Sequence, residues 1–136
     1  MKTSENINEI AKAMSLAQKE MKPALLDATN PFFKSKYADL AGIRDAVTPA
    51  LTANGIAVAQ TLDADAEARY YVRTRLLHQS GQWIEGLCPI IGMGDMQKMG
   101  SAITYARRYS LSAICGIAAD EDDDANAAVK PEPPPD

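Results

Sequence analysis

Arginine and tyrosine side chains share one face of a helical segment near the end of the chain, a combination that can hold a nucleic-acid backbone and stack its bases. At about 100° per residue, Tyr105, Arg108 and Tyr109 point away from the core. The same outward face carries Lys98, Ser101 and Ser112, with Arg107 at its edge, and the opposite apolar face is predicted to hold Met96, Met99, Ile103, Ala106, Ala113, Ile114 and Ile117. A solvated surface is the alternative interpretation of the outward face.

A second group of cations and rings occurs in a run of strand-forming residues. Side chains two apart in a strand point the same way, which places Arg69, Tyr71, Arg73 and Arg75 on one face. Guanidinium groups suit phosphate, so this face can also bind an anionic backbone. Pairing with Glu85 and other carboxylates across the sheet is the alternative.

A third group lies on a segment that reads as a loop, residues 27–37, where Lys34 and Lys36 precede Tyr37. Each group alone is a weak signal. Three groups of cations with neighbouring rings in one small chain favour single-stranded nucleic acid, where phosphate contacts give salt-dependent affinity and rings stack on bases without reading sequence.

The net charge of −4 conceals an uneven distribution. Residues 120–136 hold seven acidic residues and one basic residue, which leaves 11 acidic and 13 basic residues in residues 1–119. We therefore predict one mildly basic domain over residues 1–119 and a disordered acidic, proline-rich tail over residues 120–136. The tail explains how a DNA-binding body can belong to an acidic chain.

Catalysis finds little support in the sequence. His78 is the single histidine and has no partnered nucleophile, so we interpret it as a strand surface residue. Cys88 and Cys115 lack metal-ligand spacing and are expected to be buried thiols. The run from Asp120 to Asp124 lacks the alternating spacing of an EF-hand, and the glycine-rich segment 92–101 lacks the ending of a phosphate-binding loop. We expect no metal, no cofactor and no enzymatic activity.

Three helices are predicted to position these residues. The first runs over residues 5–21, with Ser4 or Asn6 as its cap. The second starts after Asp39 and ends at Asn54-Gly55, with a kink or short break near residues 47–48 because Pro49 lacks an N–H. The third, which carries the first group of cations and rings, runs over residues 96–114.

Three strands are predicted between the second and third helices. A period of two begins at residue 56, a second strand covers residues 69–79, and a turn at Ser80-Gly81 leads into a third over residues 82–88. The predicted fold class is therefore α+β: two N-terminal helices, a three-stranded antiparallel sheet with a hairpin, and a long C-terminal helix packed on the sheet.

Several ordered motifs of this chain resemble the ERF family of phage single-strand annealing recombinases. The resemblance covers roughly residues 5–126 and rests on Asn30-Pro-Phe-Phe-Lys-Ser-Lys-Tyr-Ala-Asp-Leu40, Leu77-His-Gln-Ser-Gly-Gln-Trp-Ile84, Gly100-Ser-Ala-Ile-Thr-Tyr-Ala-Arg-Arg-Tyr-Ser-Leu111 and Gly116-Ile-Ala-Ala-Asp-Glu-Asp-Asp-Asp-Ala125. The positions that match the family pattern are Lys34, Ser35, Tyr37, Thr104, Tyr105, Arg108 and Tyr109.

The resemblance implies an ATP-independent protein that binds single-stranded DNA and anneals complementary strands during phage recombination. It also implies a homo-oligomer, either a ring or a helical filament, and possible partners in a host single-strand-binding protein or a phage exonuclease. The residues expected to contact DNA are Lys34, Lys36, Tyr37, Arg69, Arg73, Arg75, Lys98, Tyr105, Arg107, Arg108 and Tyr109.

Two other classes of protein stay open at this stage. An oligomeric interaction module without annealing activity would use the same rings and cations at a protein interface. A metal-dependent nuclease would use the acidic run as ligands. The sequence shows no signal peptide and no apolar run as long as a membrane span, so we expect a cytoplasmic location in the bacterial host.

Overall fold

The computed structural model of the chain describes residues 1–29, 36–91 and 94–120. Its helices are α1 (Asn8–Glu20), α2 (Leu40–Ala53) and α3 (Met96–Cys115), and its strands are β1 (Lys2–Thr3), β2 (Ala28–Thr29), β3 (Lys36–Tyr37), β4 (Ile56–Ala64), β5 (Tyr70–His78) and β6 (Trp83–Pro89). The predicted α+β class is confirmed.

The main sheet has four antiparallel strands in the order β1-β6-β5-β4. Three of them were predicted; β1 was not, because two residues show no alternation in the sequence. A second sheet pairs β2 with β3 at the two ends of the predicted loop. At the hairpin turn between β5 and β6, Gly81 has a φ of 94°, which glycine adopts without strain.

All three helices pack on one face of the main sheet. On β5, Val72, Thr74 and Leu76 face the helices and are buried, as the period of two requires. The intervening residues of β5 and their cross-strand neighbours form the other face, which we call the open sheet face. The predicted strand-face group with Arg73 and Arg75 therefore lies away from the helical layer.

The N-termini of α2 and α3 are capped by the residue that directly precedes each helix, whereas the N-terminus of α1 is capped by a side chain distant in sequence. Asp39 and Asp95 accept hydrogen bonds from Gly42 N and Lys98 N at 2.8 Å, and α2 continues through Pro49 without the predicted break. The predicted cap of α1 by Ser4 or Asn6 is wrong. Gln82 Oε1, from the hairpin, accepts from the α1 amides of Glu9 and Ile10 at 2.8 and 2.9 Å.

The predicted core face of α3 is partly wrong. Ala106 is buried and Ile114 packs against the core, as expected, but Met96 is 82% exposed and Ala113 is exposed. Arg108 and Ser112, predicted to face solvent, are buried. A helical wheel assumes one covered face, whereas α3 is covered a second time by the chain segments that precede α2 and follow α3.

The two cysteines are free thiols with different surroundings. Cys115 is buried as predicted, whereas Cys88 is only half-buried. Burial raises the pKa of the Cys115 thiol to about 12. Because the thiolate is the reactive form, Cys115 is protected from alkylation in two ways: reagents cannot reach it, and its thiol stays protonated.

We expect iodoacetamide at mildly alkaline pH to alkylate Cys88 in the native protein and to modify Cys115 only after denaturant is added. Peptide mass spectrometry distinguishes the two sites. Equal native-state labelling of both cysteines would contradict the packing of Cys115 beneath α1 and α2.

Candidate nucleic-acid interface

A buried guanidinium forms the centre of the candidate site. Arg108 is only 6% exposed, and its Cζ lies 4.3 Å from the ring centroid of Tyr109, 4.8 Å from that of Tyr37 and 5.3 Å from that of Tyr105. Cation–π attraction is strongest where water is excluded, so the three rings stabilise a charge that burial alone would disfavour. Arg108 thus joins α3 to β3.

The guanidinium also fixes the chain after α3. Its Nη1 donates to Asp120 Oδ1 at 3.1 Å and to Ala38 O at 3.3 Å. Burial lowers the pKa of Arg108, but the hydrogen bond and the charge of Asp120 raise it above the ordinary arginine value. Ala38 N donates to Ala119 O at 2.8 Å beside this pair. Asp120, predicted to begin the disordered tail, is therefore bonded to the folded body; residues 121–136 lie outside the described residues.

Tyr105 and Tyr109 act as one aromatic pair. They are one helical turn apart, their ring centroids are 4.7 Å apart at an interplanar angle of 59°, and the Tyr105 hydroxyl donates to the Tyr109 hydroxyl at 3.2 Å. Burial, followed by this hydrogen bond, raises the pKa of Tyr109 to about 12. The Tyr109 phenol is therefore neutral at physiological pH. The exposure of both tyrosines confirms that part of the helical wheel.

These side chains border a cleft of about 610 Å³, which we call the tyrosine cleft. It is lined by Tyr37, Asp39, Leu40, Met96, Gln97, Gly100, Ser101, Thr104, Tyr105, Arg108, Tyr109 and Asp120.

The tyrosine cleft offers apolar surface and hydroxyl groups, together with the carboxylate of Asp39 that caps α2. Tyr105 is 58% exposed, so one of its ring faces is accessible to a planar ligand, and the exposed Met96 adds a polarisable side chain. Ser101 and Thr104 contribute hydroxyls. Such a lining can stack a base and hydrogen-bond its sugar or phosphate.

The arginines of the open sheet face are paired with carboxylates. Arg73 and Arg75 both form ion pairs with Glu85, which is 1% exposed, and Arg73 Nε also donates to Asp63 at 2.7 Å. The hydrogen bond from Arg73 holds the pKa of Asp63 below its ordinary value. The structure therefore contains the cross-strand pairing that the sequence left open, and a phosphate would have to displace it.

An indole ring covers one of these arginines. The Cζ of Arg75 lies 3.9 Å from the ring centroid of Trp83, its neighbour on β6. Arg73 lies 5.8 Å from the ring centroid of Tyr71. Lys2, which pairs with Glu85 in the β1–β6 register, brings this face to three cations and two carboxylates, so most of its positive charge is already neutralised.

The remaining predicted residues are dispersed. Arg69 precedes β5 and pairs with Asp65 and Glu67, and Lys98 is exposed in the first turn of α3. Arg107 is half-buried on α3, and Lys36 is exposed on β3. Lys34, together with Ser35, lies outside the described residues. The structure thus gathers Tyr37, Tyr105, Arg108 and Tyr109 at one site and leaves Arg69, Arg73 and Arg75 elsewhere.

Sequence reasoning missed several residues that line the cleft, among them Asp120, Met96 and Gly100. Asp120 looked like the start of a solvated acidic run, Met96 like a core residue, and Gly100 like part of a failed phosphate loop. Gly100 carried a signal in retrospect, because glycine inside a helix costs about 1 kcal/mol relative to alanine and implies a local reason. For Asp120 no local signal separates it from the carboxylates that follow.

No metal site or membrane span is found where the chain is described. Residues 1–29, 36–91 and 94–120 contain no group of three or more His, Cys, Asp or Glu side chains that could hold a metal ion. Within the same ranges, no helix combines the length and apolar character needed to cross a bilayer. Most of the acidic run considered for a nuclease lies outside these ranges.

An α+β body that presents an aromatic cleft around a buried arginine is a suitable surface for a flexible, single-stranded ligand. The family model described as ERF superfamily matches residues 10–134. The chain belongs to the ERF superfamily, a family of phage recombination and strand-annealing proteins that interact with single-stranded DNA. Comparisons with curated proteins and with solved structures find no match.

We expect Arg108→Ala to lower the free energy of unfolding by about 2 to 4 kcal/mol, because it removes a buried cation that contacts three rings. Asp120→Ala should cost about 1 to 3 kcal/mol, since it leaves the guanidinium without its carboxylate. Urea denaturation measures both.

Arg69→Ala is the control for this comparison, because its ion pairs are exposed and worth about 0 to 1 kcal/mol. Equal destabilisation by Arg69→Ala and Arg108→Ala would contradict the central role of Arg108.

Proposed function

We propose that this protein binds single-stranded DNA and anneals complementary strands without ATP, as part of phage homologous recombination. The observation that carries the proposal is the meeting of Tyr37, Tyr105 and Tyr109 around Arg108 in one cleft. Membership of the ERF superfamily supports the same activity at the level of the family. We propose no catalytic role for any residue and no bound cofactor.

The exposed ring of Tyr105 is proposed as the platform for a base. Stacking of a base on an aromatic side chain contributes about 1 to 3 kcal/mol and tolerates any sequence, because every base has a π face. A base stacked on one face keeps its hydrogen-bonding edge free. That geometry is what annealing requires, since a bound strand must still pair with its complement.

Weak contacts on each protomer become useful when protomers line up along the strand. Each protomer then binds at the high effective concentration set by its neighbours, so the assembly grips DNA more tightly than one protomer does. We therefore propose a homo-oligomer, a ring or a helical filament. A host single-strand-binding protein and a phage exonuclease remain predicted partners.

No described strand pairs with the outer edge of β4, and we propose this edge as the contact between protomers. Gln79 N donates to Gly55 O at 2.9 Å and Asp65 N donates to Arg69 O at 3.0 Å, so the odd-numbered residues of β4 bond to β5. The N–H and C=O groups of Val58, Gln60 and Leu62 therefore point to the outer edge. A nine-residue edge whose one charged residue, Asp63, faces inward to Arg73 is a ready template for another strand.

The annealing assay is the main test. Two complementary oligonucleotides, one carrying a fluorophore and the other a quencher, should anneal faster with the protein than without it, in the absence of ATP and at low salt. Acceleration should weaken as salt rises, because phosphate contacts release counterions. No acceleration at any salt concentration would refute the proposal, and Mg²⁺-dependent cleavage of the strands would favour the nuclease instead.

Tyr105 variants test the stacking platform. Tyr105→Ala should weaken single-stranded DNA binding by about 1 to 3 kcal/mol, whereas Tyr105→Phe keeps the ring and should bind like the wild type. Fluorescence anisotropy of a labelled oligonucleotide measures both. Equal binding by the alanine and wild-type proteins would remove Tyr105 from the interface.

A proline at position 62 tests the β4 edge. Leu62→Pro deletes an outward N–H while sparing the bonds to β5, and proline is tolerated on edge strands. Leu62→Ala removes the same side chain but keeps the N–H. Light scattering coupled to gel filtration should show smaller assemblies for Leu62→Pro only; wild-type-sized assemblies of both variants would place the contact elsewhere.

A further inference from the structure

The arginines differ in whether a carboxylate already neutralises them. Four of the five arginines considered for DNA contact have an acidic partner, namely Arg69, Arg73, Arg75 and Arg108. Arg107 has no ion pair and no side-chain hydrogen bond within the described part of the chain. A phosphate can therefore approach Arg107 without displacing a carboxylate.

Packing fixes the stem of Arg107. Its Nε is buried and has no hydrogen-bond partner among the described residues, and its backbone carbonyl accepts from Gln60 Nε2 at 3.0 Å. The Oε1 of Gln60 is buried and unpartnered in the same part of the structure. Arg107 as a whole is half-buried, so a phosphate would reach the guanidinium at its Nη groups rather than at the buried Nε, and would neutralise a charge that the described residues leave unpaired.

Arg107 borders the tyrosine cleft along α3. Thr104 and Gly100, which line the cleft, lie three and seven residues before Arg107, so helical geometry places all three on the same flank of α3. At Gly100, a Cβ would meet nothing within 4 Å. Among the described residues, the helix surface at Gly100, about two turns before Arg107, is therefore open to close approach by a sugar-phosphate backbone.

We propose that Arg107 is the phosphate anchor of the tyrosine cleft, and that it binds a backbone phosphate of a strand that crosses α3 from Tyr105, which lies on the opposite flank of the helix. This inference rests on the proposed binding of single-stranded DNA. It also assigns the salt dependence of binding to Arg107 rather than to the carboxylate-paired arginines. A paired arginine that binds a phosphate must first lose its bond to a carboxylate, so the net charge neutralised is small. Arg107 has no such bond to lose, so it neutralises the phosphate and releases the counterion that was bound to the DNA.

The test is the salt dependence of binding to a labelled oligothymidine, measured by anisotropy across a series of NaCl concentrations. On single strands each phosphate contact contributes about 0.7 to the slope of log affinity against log salt. Arg107→Gln should reduce that slope by about 0.7 per protomer and weaken binding, while Arg107→Lys should restore the slope because it keeps the charge. Arg107→Met provides a second neutral variant if glutamine disturbs folding.

Lys12→Gln is the matched control, because it removes one exposed cation from α1, away from the cleft. Its slope should equal that of the wild type. If wild-type protein binds DNA and a folded neutral variant at position 107 keeps the full slope, the phosphate anchor is refuted while the proposed function stands. If the wild type binds no single-stranded DNA at any salt concentration, the proposed function itself fails.

Discussion

The buried guanidinium of Arg108 is the interaction on which the candidate site depends. Arg108 projects from α3, where it contacts the ring of Tyr109. From the segment that leads into α2 it contacts the ring of Tyr37 and the carbonyl of Ala38, and from the segment that follows α3 it contacts the carboxylate of Asp120. Because a buried charge without compensation is costly, these segments must come together for Arg108 to fold into the body. The tyrosine cleft is the outer surface of that assembly.

Charge pairing separates structural arginines from those available to a ligand. Glu85 and Asp63 together neutralise the two arginines of the open sheet face, and Asp120 neutralises Arg108 in the cleft. Counting cations therefore overestimates the binding surface. The aromatic rings of the cleft and Arg107, which has no carboxylate partner among the described residues, are the surface that we propose for DNA in a chain with a net charge of −4.

Long-range side-chain contacts also complete the fold. Gln82 caps α1 from the hairpin, and Gln18 Nε2 donates to Cys115 O at the end of α3 at 3.1 Å. Both glutamines satisfy helix-terminal groups that local sequence leaves unpaired. The helices and the sheet are consequently tied at their ends as well as through the core. A substitution at either position would act on a helix distant in sequence.

The sequence by itself determined the elements whose signals are local. The cap at Asp39, the period of two in β4 and β5, and the glycine turn at residue 81 predicted α2 and the hairpin sheet, and the ordered motifs indicated the ERF family. Only the tertiary structure decided which charged groups are free. The partners of Arg73, Arg75 and Arg108 depend on which strand or segment lies beside them, and the burial of Arg108 depends on two segments that fold over α3. Local periodicity contains neither the ion-pair partners nor the burial of Arg108, because both arise only when residues far apart in the chain pack together.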